Sequence, residues 1–437
     1  MNNDYMYNFN FNLIKKFMNY NFFSLLMIKR VLSVFAVMCF TIFGLMAQEI
    51  DILIKNGHVI DPKNNIDGIF DVAITGGKID KVAPNIPVSE ARRVIDAKDK
   101  YVTPGFIDPH THVFVGSNSG FANGFESLSP DDITFKAGIT TVVDAGTSGW
   151  RSFPLFKQNV IDRSSTRVLA FLNIAGGGMT GFPSEEDMND MDARMTSLVI
   201  NQNRGTIVGV KLGHFRSKDW TPFDRAIEAC EIANVPFLLE CHLREYPLDE
   251  ILKRMRKGDI FTHTYCAAGD RECILDDNGI MKNSVIQAKN KGVLFDVGHG
   301  GAMFHFDIAI PAMKQGLKPD SFGSDLHRSS MNGGMRSMIE TMSKFLNMGM
   351  SLTEVINSAT WSPAQAIKRP DLGNLSPGND ADIAIISVRK GDFGFVDTRN
   401  NKLPGDRRLE AEVTIRAGRV VWDLNGLAAW GQESRNR

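Results

Sequence analysis

The stretch TPGFIDPHTHVF, residues 103–114, decides the fold of this chain. It places an apolar run behind a Pro-Gly pair and ends that run with His110 and His112, two of only nine histidines in the sequence. Side chains alternate across a β-strand, so the two imidazoles share one face. Paired imidazoles suit a borderline-soft divalent metal ion, although two such histidines can equally be ordinary polar residues of a strand.

Seven further short apolar runs follow this stretch and end in polar residues. They are ITTVVDAG, RVLAFLNIAG, IVGVKLG, PFLLECH, DIFTHTY, GVLFDVGHG and DSFGSDLH. Helical patterns such as PFDRAIEACEIANV lie between most of them. Eight strands separated by helices predict an α/β fold, a (β/α)8 TIM-like barrel over residues 104–372. The C-terminal strand ends of such a barrel form its active-site face.

Both ends of the chain carry a different, β-rich pattern. Residues 49–103 contain short Ile and Val runs broken by Asn56-Gly57 and Gly76-Gly77, which predicts β-hairpins. Residues 373–425 repeat this pattern with an Ala417-Gly418 turn. We therefore expect a small β-sandwich domain built from both chain ends, followed by a C-terminal tail at 426–437.

Residues 1–48 are expected to stand outside the folded domains. A low-complexity extension rich in Asn, Phe and Tyr precedes a plausible second start at Met27. Lys29 and Arg30 then precede an apolar stretch that reaches Leu45, which is the layout of a secretory signal peptide. This predicts an exported bacterial protein, periplasmic or secreted, with no stable membrane span after cleavage. The alternative is a protein anchored to the membrane by an uncleaved signal.

The composition excludes several classes of function. The chain has 437 residues, is 43% hydrophobic and carries a net charge of −1, so it can bury one large domain and a smaller one. No basic stripe is present, and nucleic acid is therefore not an expected partner. The cysteines show no CxxC spacing, which argues against a structural zinc site.

Further side chains that can bind a metal end the later apolar runs. These residues are Lys211 in the fourth run, His242 in the fifth, His263 in the sixth and Asp325 in the eighth. Because the strand ends of a barrel meet at one rim, we expect these side chains to converge there. A lysine at the end of an apolar strand is unusual, and its alternative role is a rim side chain whose ammonium reaches water.

The pattern resembles the amidohydrolase superfamily of metal-dependent hydrolases over nearly all of residues 49–425. The resemblance rests on the β-rich ends, on the TPGFIDPHTH strand and on the order of the ligands along the barrel. Members with this pattern use an HxH pair, a carboxylated lysine, two later histidines and one aspartate. Carried over to this chain, the implied metal ligands are His110, His112, Lys211, His242, His263 and Asp325.

The resemblance implies two divalent metal ions, expected to be zinc from the ligand types. The HxH pair and Asp325 would bind one ion, His242 and His263 the other, and carboxylated Lys211 would bridge them. A lysine ammonium has no lone pair for a metal, whereas its carbamate is an anion with two oxygens. The implied reaction is attack of a metal-bridging hydroxide on an acyl carbon, with Asp325 as the catalytic base and then acid.

The stretches VVDAGTSG, KGDIFTHTY, FDVGHGG and SDLH look like the deacetylase-type branch of this superfamily. That branch resembles dihydroorotases but hydrolyses N-acetyl or O-acetyl compounds. The implied partner is a small acylated substrate, bound near His299, Gly300 and His327. Dihydroorotases and hydantoinases usually carry an arginine shortly after the HxH pair, where this chain has Val113 and Phe114.

Three functions remain open from the sequence. The first is an exported metal-dependent deacetylase or amidase, and the second is a cyclic amidase of the dihydroorotase or hydantoinase type. The third is a non-catalytic binding member, which the complete ligand set argues against. Arg216, Arg244 or Arg328 could hold a substrate carboxylate, and each is equally plausible as a surface charge. Relatives commonly associate, so a homo-oligomer is also open.

Overall fold

A computed structural model describes residues 50–216, 218–240, 246–267 and 271–429. The predicted extension and signal peptide at 1–48, the residues from 430 onward and the predicted ligand His242 lie outside the described residues. The described residues belong to one compact unit, Ile50–Arg437.

Sixteen β-strands lie within these described residues. Fifteen of them form two sheets, and β7 belongs to neither. They are β1 Ile52–Asp61, β2 Ile66–Thr75, β3 Lys78–Ala83, β4 Val94–Asp96, β5 Tyr101–Pro104, β6 Phe106–Thr111, β7 Val115–Asn118, β8 Ile139–Gly149, β9 Arg167–Asn173, β10 Ile207–Leu212, β11 Phe237–Leu239, β12 Ile260–Phe261, β13 Leu294–Phe295, β14 Ile383–Val396, β15 Lys402–Arg416 and β16 Arg419–Asp423.

The chain ends form one mixed sheet in the order β16-β15-β14-β5-β1-β2-β3, with β4 paired to β1. Its hairpins are antiparallel, and β1 pairs in parallel with β4 and β5. Gly76 and Gly77 connect β2 to β3 with positive φ angles of 58° and 77°, as the predicted tight turn requires. The β-rich pattern at the two ends of the sequence therefore reflects a single hydrogen-bonded sheet.

The predicted hairpin turn at Asn56-Gly57 is wrong, because this pair lies inside β1. Asn56 has a φ of 62° and the register against β2 shifts between Ile54 and Gly57, which is a β-bulge. A Cβ on Gly57 would lie 2.4 Å from Val102 Cγ2. Because Gly57 has no side chain, β1 can pack closely on β5. The glycine is needed for this packing and does not mark a reversal of the chain.

The middle of the chain forms a curled parallel sheet of seven strands in the order β13-β12-β11-β10-β9-β8-β6. Residues 321–326 make parallel bridges to both of its edges, from Ser321 to Asp296 and from Leu326 to Thr111. This segment, which we call the closing segment, occupies the place of the eighth strand. The barrel predicted from eight apolar runs is confirmed in its architecture, with the eighth run held by isolated bridges.

Helices connect the barrel strands. They are α1 Pro130–Ile133, α2 Phe153–Phe156, α3 Ala193–Gln202, α4 Thr221–Ala233, α5 Leu248–Arg254, α6 Asn283–Lys291, α7 Phe306–Lys314, α8 Met338–Asn347, α9 Leu352–Ala359 and α10 Trp361–Ala366. Within the described part of the chain, none of these helices is long and apolar enough to cross a membrane.

The barrel interior is apolar at one end and polar at the other. Alternate residues of the strands, among them Ile107, Phe171 and Leu238, form an inner core together with Ala364 of α10 and Ile367. The same alternation places Lys211 of β10 on the inner face beyond this core, where it is 1% exposed. The apolar core therefore supports a ring of polar side chains at the C-terminal strand ends.

Truncation of Phe171 to alanine tests this inner core. The ring is fully buried, so Phe171→Ala should lower the free energy of unfolding by about 3–5 kcal/mol, measured by denaturant unfolding. Leu155→Ala is the control, because that side chain is 42% exposed and its loss should change stability by about 0.5 kcal/mol or less. Equal effects of the two substitutions would contradict the assignment of Phe171 to the core.

Candidate metal centre

Three side chains meet where β6 and the closing segment end. His110 lies in β6, His112 follows it directly, and both are buried. Backbone bonds from Asp325 N to His110 O, 2.7 Å, and from His112 N to Leu326 O, 3.2 Å, hold the closing segment against β6. Asp325 Oδ1 then lies 3.1 Å from His112 Nε2 and 3.6 Å from His110 Nε2. These three residues form the first ligand group.

A second ligand group adjoins the first and shares His110 with it. Its other members are His263, from the loop after β12, and Glu240, which directly follows β11. Glu240 Oε1 lies 3.2 Å from His263 Nε2, and its Oε2 lies 2.7 Å from Lys211 Nζ. In each group the ligand atoms lie within 4.8 Å of one another. The two groups bring five side chains that can bind a metal into one buried cluster, in which the single Nε2 lone pair of His110 can bind one ion.

Each of these three histidines is held through Nδ1. The partners are Thr262 Oγ1 for His110, 3.0 Å, Thr147 Oγ1 for His112, 3.1 Å, and Gly298 O for His263, 2.6 Å. Both hydroxyl protons are used by carboxylates, since Thr262 donates to Asp296 and Thr147 to Asp144. The two hydroxyls and the carbonyl therefore accept from Nδ1–H, which leaves the lone pair of every Nε2 facing the centre.

In this tautomer, the Nε2 acceptors of the histidines face the carboxylate oxygens, which are also hydrogen-bond acceptors. The Nε2 lone pairs of His112 and His263 face the carboxylate oxygens of Asp325 and Glu240 at 3.1 and 3.2 Å. His110 Nε2 is buried and makes no hydrogen bond within the described residues. Acceptors at these distances repel unless a proton or a metal ion lies between them. The donor set of imidazole nitrogens and carboxylate oxygens is the one that zinc and similar divalent ions bind.

The ionisation of the centre follows from burial and from its neighbours. Burial, assisted by the charge of Lys211, lowers the pKa of His110 to about 4, so this ligand is neutral at neutral pH. Burial opposes ionisation of Asp325, but the positive charge that His110, His112 and His263 carry when protonated outweighs it and lowers the pKa of this carboxyl well below its ordinary value. Neutral imidazole and ionised carboxylate are the forms that bind a metal.

Of the sequence-predicted ligands, the structure brings His110, His112, Lys211, His263 and Asp325 together. His242 lies outside the described residues. Sequence reasoning missed Glu240 altogether. Its signal was present in PFLLECH, because Glu240 precedes His242 by two residues and would share its face of a strand.

His214 is a further residue that borders the centre. It follows β10 on a loop and has a φ of 60°. Its Nε2 lies 3.5 Å from Glu240 Oε1 and its Nδ1 lies 3.0 Å from Glu185 Oε2. Burial opposes the charge, but these two carboxylates raise the pKa of His214 to about 10, so a cation borders the centre.

The predicted substrate residues surround the first ligand group in different ways. His299 is fully buried, stacks on Phe304 and accepts a hydrogen bond at Nε2 from Lys344 Nζ, 2.7 Å. Burial, assisted by the charge of Lys344, holds the pKa of His299 well below its ordinary value. His327 is half-buried, and its ring centroid lies 6.2 Å from that of His112.

Gly300 contacts the centre directly. Its φ is 49°, and a Cβ there would lie 2.2 Å from Asp325 Oδ2. The Asp325 carboxylate therefore occupies the space that a side chain at position 300 would need. This contact makes Gly300 a steric support of the first ligand group, whereas the sequence predicted only that it binds substrate.

An aromatic side chain borders the centre beside His112. The Phe121 ring lies 4.9 Å from the His112 ring and 5.4 Å from the His327 ring. Two arginines considered for a substrate carboxylate stack on exposed phenylalanines, Arg216 on Phe182 and Arg328 on Phe125. Arg244 lies outside the described residues.

Sequence comparisons identify the family of this chain. Two family models described as Amidohydrolase family match residues 93–161 and 305–421. A deacetylase from Enterococcus faecalis is 30% identical over 381 residues, which covers 85% of this chain and 99% of that protein. A deacetylase from Brucella anthropi is 30% identical over 365 residues, which covers 81% of this chain and 88% of the relative. The chain belongs to the amidohydrolase family.

Solved structures place this amidohydrolase among enzymes with the same barrel. A crystal structure described as an adenine deaminase superimposes with a TM-score of 0.78 at 29% identity, over 86% of this chain and all (100%) of that one. A dihydroorotase structure has a TM-score of 0.76 at 26% identity, over 85% of this chain and 99% of that one. The predicted fold class and family resemblance are confirmed, and the protein is a hydrolase that acts on carbon–nitrogen bonds.

The contact between Gly300 and Asp325 yields a test of the first ligand group. Gly300→Ala should displace the Asp325 carboxylate and strain the backbone by about 1–2 kcal/mol, so the variant should bind less metal and melt at a lower temperature. Gly301→Ala is the control, because a Cβ there meets nothing closer than 3.6 Å. Metal content and Tm are measured for both. Unchanged metal content in Gly300→Ala would contradict the steric role.

Proposed function

We propose that the protein is a metal-dependent deacetylase, which removes acetyl groups from the nitrogen or oxygen of small molecules. The observation that carries this proposal is the pair of adjoining ligand groups in which imidazole lone pairs face carboxylate oxygens. The relatives named deacetylase, which align over most of the chain, support the choice of an acetyl group. We also propose export, on the basis of the signal-like sequence that ends near Leu45.

The described residues fit a divalent metal centre, and zinc is the ion proposed. Within the part of the chain that the structure describes, His110 Nε2 is a buried nitrogen without a hydrogen bond, so its lone pair is available to a metal ion. His112 and Asp325 complete the first set of donors, and His263 belongs to the second. When bound, such ions act as Lewis acids toward a carbonyl and lower the pKa of water to about 7.

Lys211 is proposed to serve as a carbamate. The ammonium would first lose a proton, and the resulting amine nitrogen would form a bond to the carbon of carbon dioxide. Loss of a second proton would leave an anion with two donor oxygens. The buried position of Lys211, inside the barrel and 2.7 Å from Glu240 of the second ligand group, supports this role. Its Nζ lies 3.3 Å from Ala145 O, which can accept the remaining N–H hydrogen bond.

Asp325 is proposed to move the proton. Water adds to the acyl carbon, and Asp325 accepts the proton that the water loses. The carbon–nitrogen or carbon–oxygen bond then breaks, and Asp325 returns the proton to the leaving nitrogen or oxygen, so that a carboxylic acid and an amine or alcohol are released. The lowered pKa of Asp325 keeps the carboxylate ionised and able to accept at neutral pH.

Asp325→Asn tests this proton transfer. The amide is similar in size but cannot accept and return the proton, so kcat should fall by about 10²–10⁴-fold while most of the bound metal remains. Steady-state rates and metal content are measured together. Asp320→Asn, just before the closing segment, is the control and should keep its rate. A variant Asp325→Asn with the rate of the unchanged protein would refute the assigned role.

The choice of substrate has one specific observation behind it. Val113 and Phe114, which stand where cyclic amidases usually have an arginine, are completely buried in the apolar core. Neither side chain can hold a substrate carboxylate from that position. This supports acetylated compounds over cyclic amides.

A substrate panel separates the two enzyme functions. The zinc-loaded protein is assayed with N-acetyl-D-amino acids and acetylated hydroxy acids, and in parallel with dihydroorotate and hydantoins. We expect release of acetate from members of the first set and no ring opening in the second. Ring opening without release of acetate would replace the proposal by a cyclic amidase. A protein that binds zinc and hydrolyses neither set would favour a binding member of the family.

A further inference from the structure

We propose that Glu240, rather than His242, supplies the metal ligand from the end of β11. This inference rests on the proposed metal dependence and concerns which residue completes the second ligand group. The resemblance implied a histidine here. The structure brings the Glu240 carboxylate to His263 and Lys211, and that carboxylate changes the charge of the centre.

The direction of the Glu240 side chain follows from the strand that it ends. Leu238 of β11 belongs to the inner apolar core of the barrel. Glu240 stands two residues later, and its backbone N–H donates to Leu212 O at 2.9 Å, which continues the pairing of β10 with β11. Strand alternation therefore directs the Glu240 side chain into the barrel, where it is 6% exposed.

Both carboxylate oxygens of Glu240 are in use at the centre. Oε1 lies 3.2 Å from His263 Nε2 and 3.5 Å from His214 Nε2, and Oε2 lies 2.7 Å from Lys211 Nζ. Because His263 donates its Nδ1–H to Gly298 O, its Nε2 lone pair faces Oε1. A cation placed beside both atoms would turn this repulsion into coordination. Glu240 is therefore well placed to bind the same ion as His263, because its Oε1 lies beside His263 Nε2.

The contact with Lys211 links this ligand to the carbamate. With Lys211 as an ammonium, the pair neutralises two buried charges. Once Lys211 is carboxylated, Glu240 faces a second anion, and like charges at this distance in a buried site strongly oppose each other. A divalent ion between them removes that repulsion. The second ion and the carbamate should therefore form together, and loss of Glu240 should weaken the second ion selectively.

Metal counting on the full chain tests this assignment. The protein and its variants are loaded with zinc and bicarbonate and separated from unbound metal. The number of zinc ions bound per chain is then measured by inductively coupled plasma mass spectrometry. We expect about two ions in the unchanged protein and about one in Glu240→Gln. His242→Gln should keep about two. Glu185→Gln is the matched control, because Glu185 is also a buried carboxylate beside His214 but belongs to neither ligand group.

A second variant tests the same assignment if Glu240→Gln folds poorly. Glu240→His restores a ligand without the charge, so it should again hold about two ions, and cobalt absorption spectra should report a nitrogen in place of an oxygen. Retention of two ions by Glu240→Gln, or loss of one ion by His242→Gln, would overturn the proposal.

Failure of the Glu240 assignment can be distinguished from failure of the proposed function. An unchanged protein that binds no divalent metal would refute metal dependence itself. An unchanged protein that binds two ions but releases no acetate would refute the deacetylase assignment alone. In that second case the comparison of Glu240→Gln with His242→Gln would still decide the ligand, because it is read from metal content and spectra.

Discussion

The closure of the barrel by residues 321–326 is the constraint on which the centre depends. Two buried carboxylates hold this closing segment from opposite sides, since Asp108 accepts from Ser324 N and Asp296 accepts from Gly323 N. The segment makes only isolated bridges to its neighbours, so these side chains replace much of a regular ladder. Without them Asp325 would not reach the histidines of β6, and the first ligand group would not exist.

Asp296 also determines the orientation of a ligand histidine. It acts through Thr262 on His110, and a further buried carboxylate, Asp144, acts in the same way through Thr147 on His112. In each case the threonine hydroxyl donates its single proton to the carboxylate and accepts a hydrogen bond from the histidine Nδ1–H. Barrel closure and ligand orientation are therefore linked, because Asp296 both holds the closing segment and directs the Nε2 lone pair of His110 inward.

Much of this site could be predicted from the sequence, and the limits have physical reasons. His110, His112, Lys211 and Asp325 were identifiable because strand alternation and the end of an apolar run determine where a side chain points. Glu240 has the same signal, but the histidine two residues later has the ligand type that the resemblance implies, so only that histidine was predicted as a ligand. The bulge at Asn56-Gly57 was mistaken for a turn, because both structures need residues that adopt positive φ.

The sequence by itself determined the eight apolar runs, the β-rich ends and the polar residues that end the strands, because alternation and turn chemistry are local properties. Only the tertiary structure decided which atoms face one another across the barrel. The pairing of Glu240 with Lys211 and the fit of Asp325 against Gly300 join residues far apart in sequence. Such contacts depend on how the strands meet at the rim, and no local pattern of residues encodes that distance.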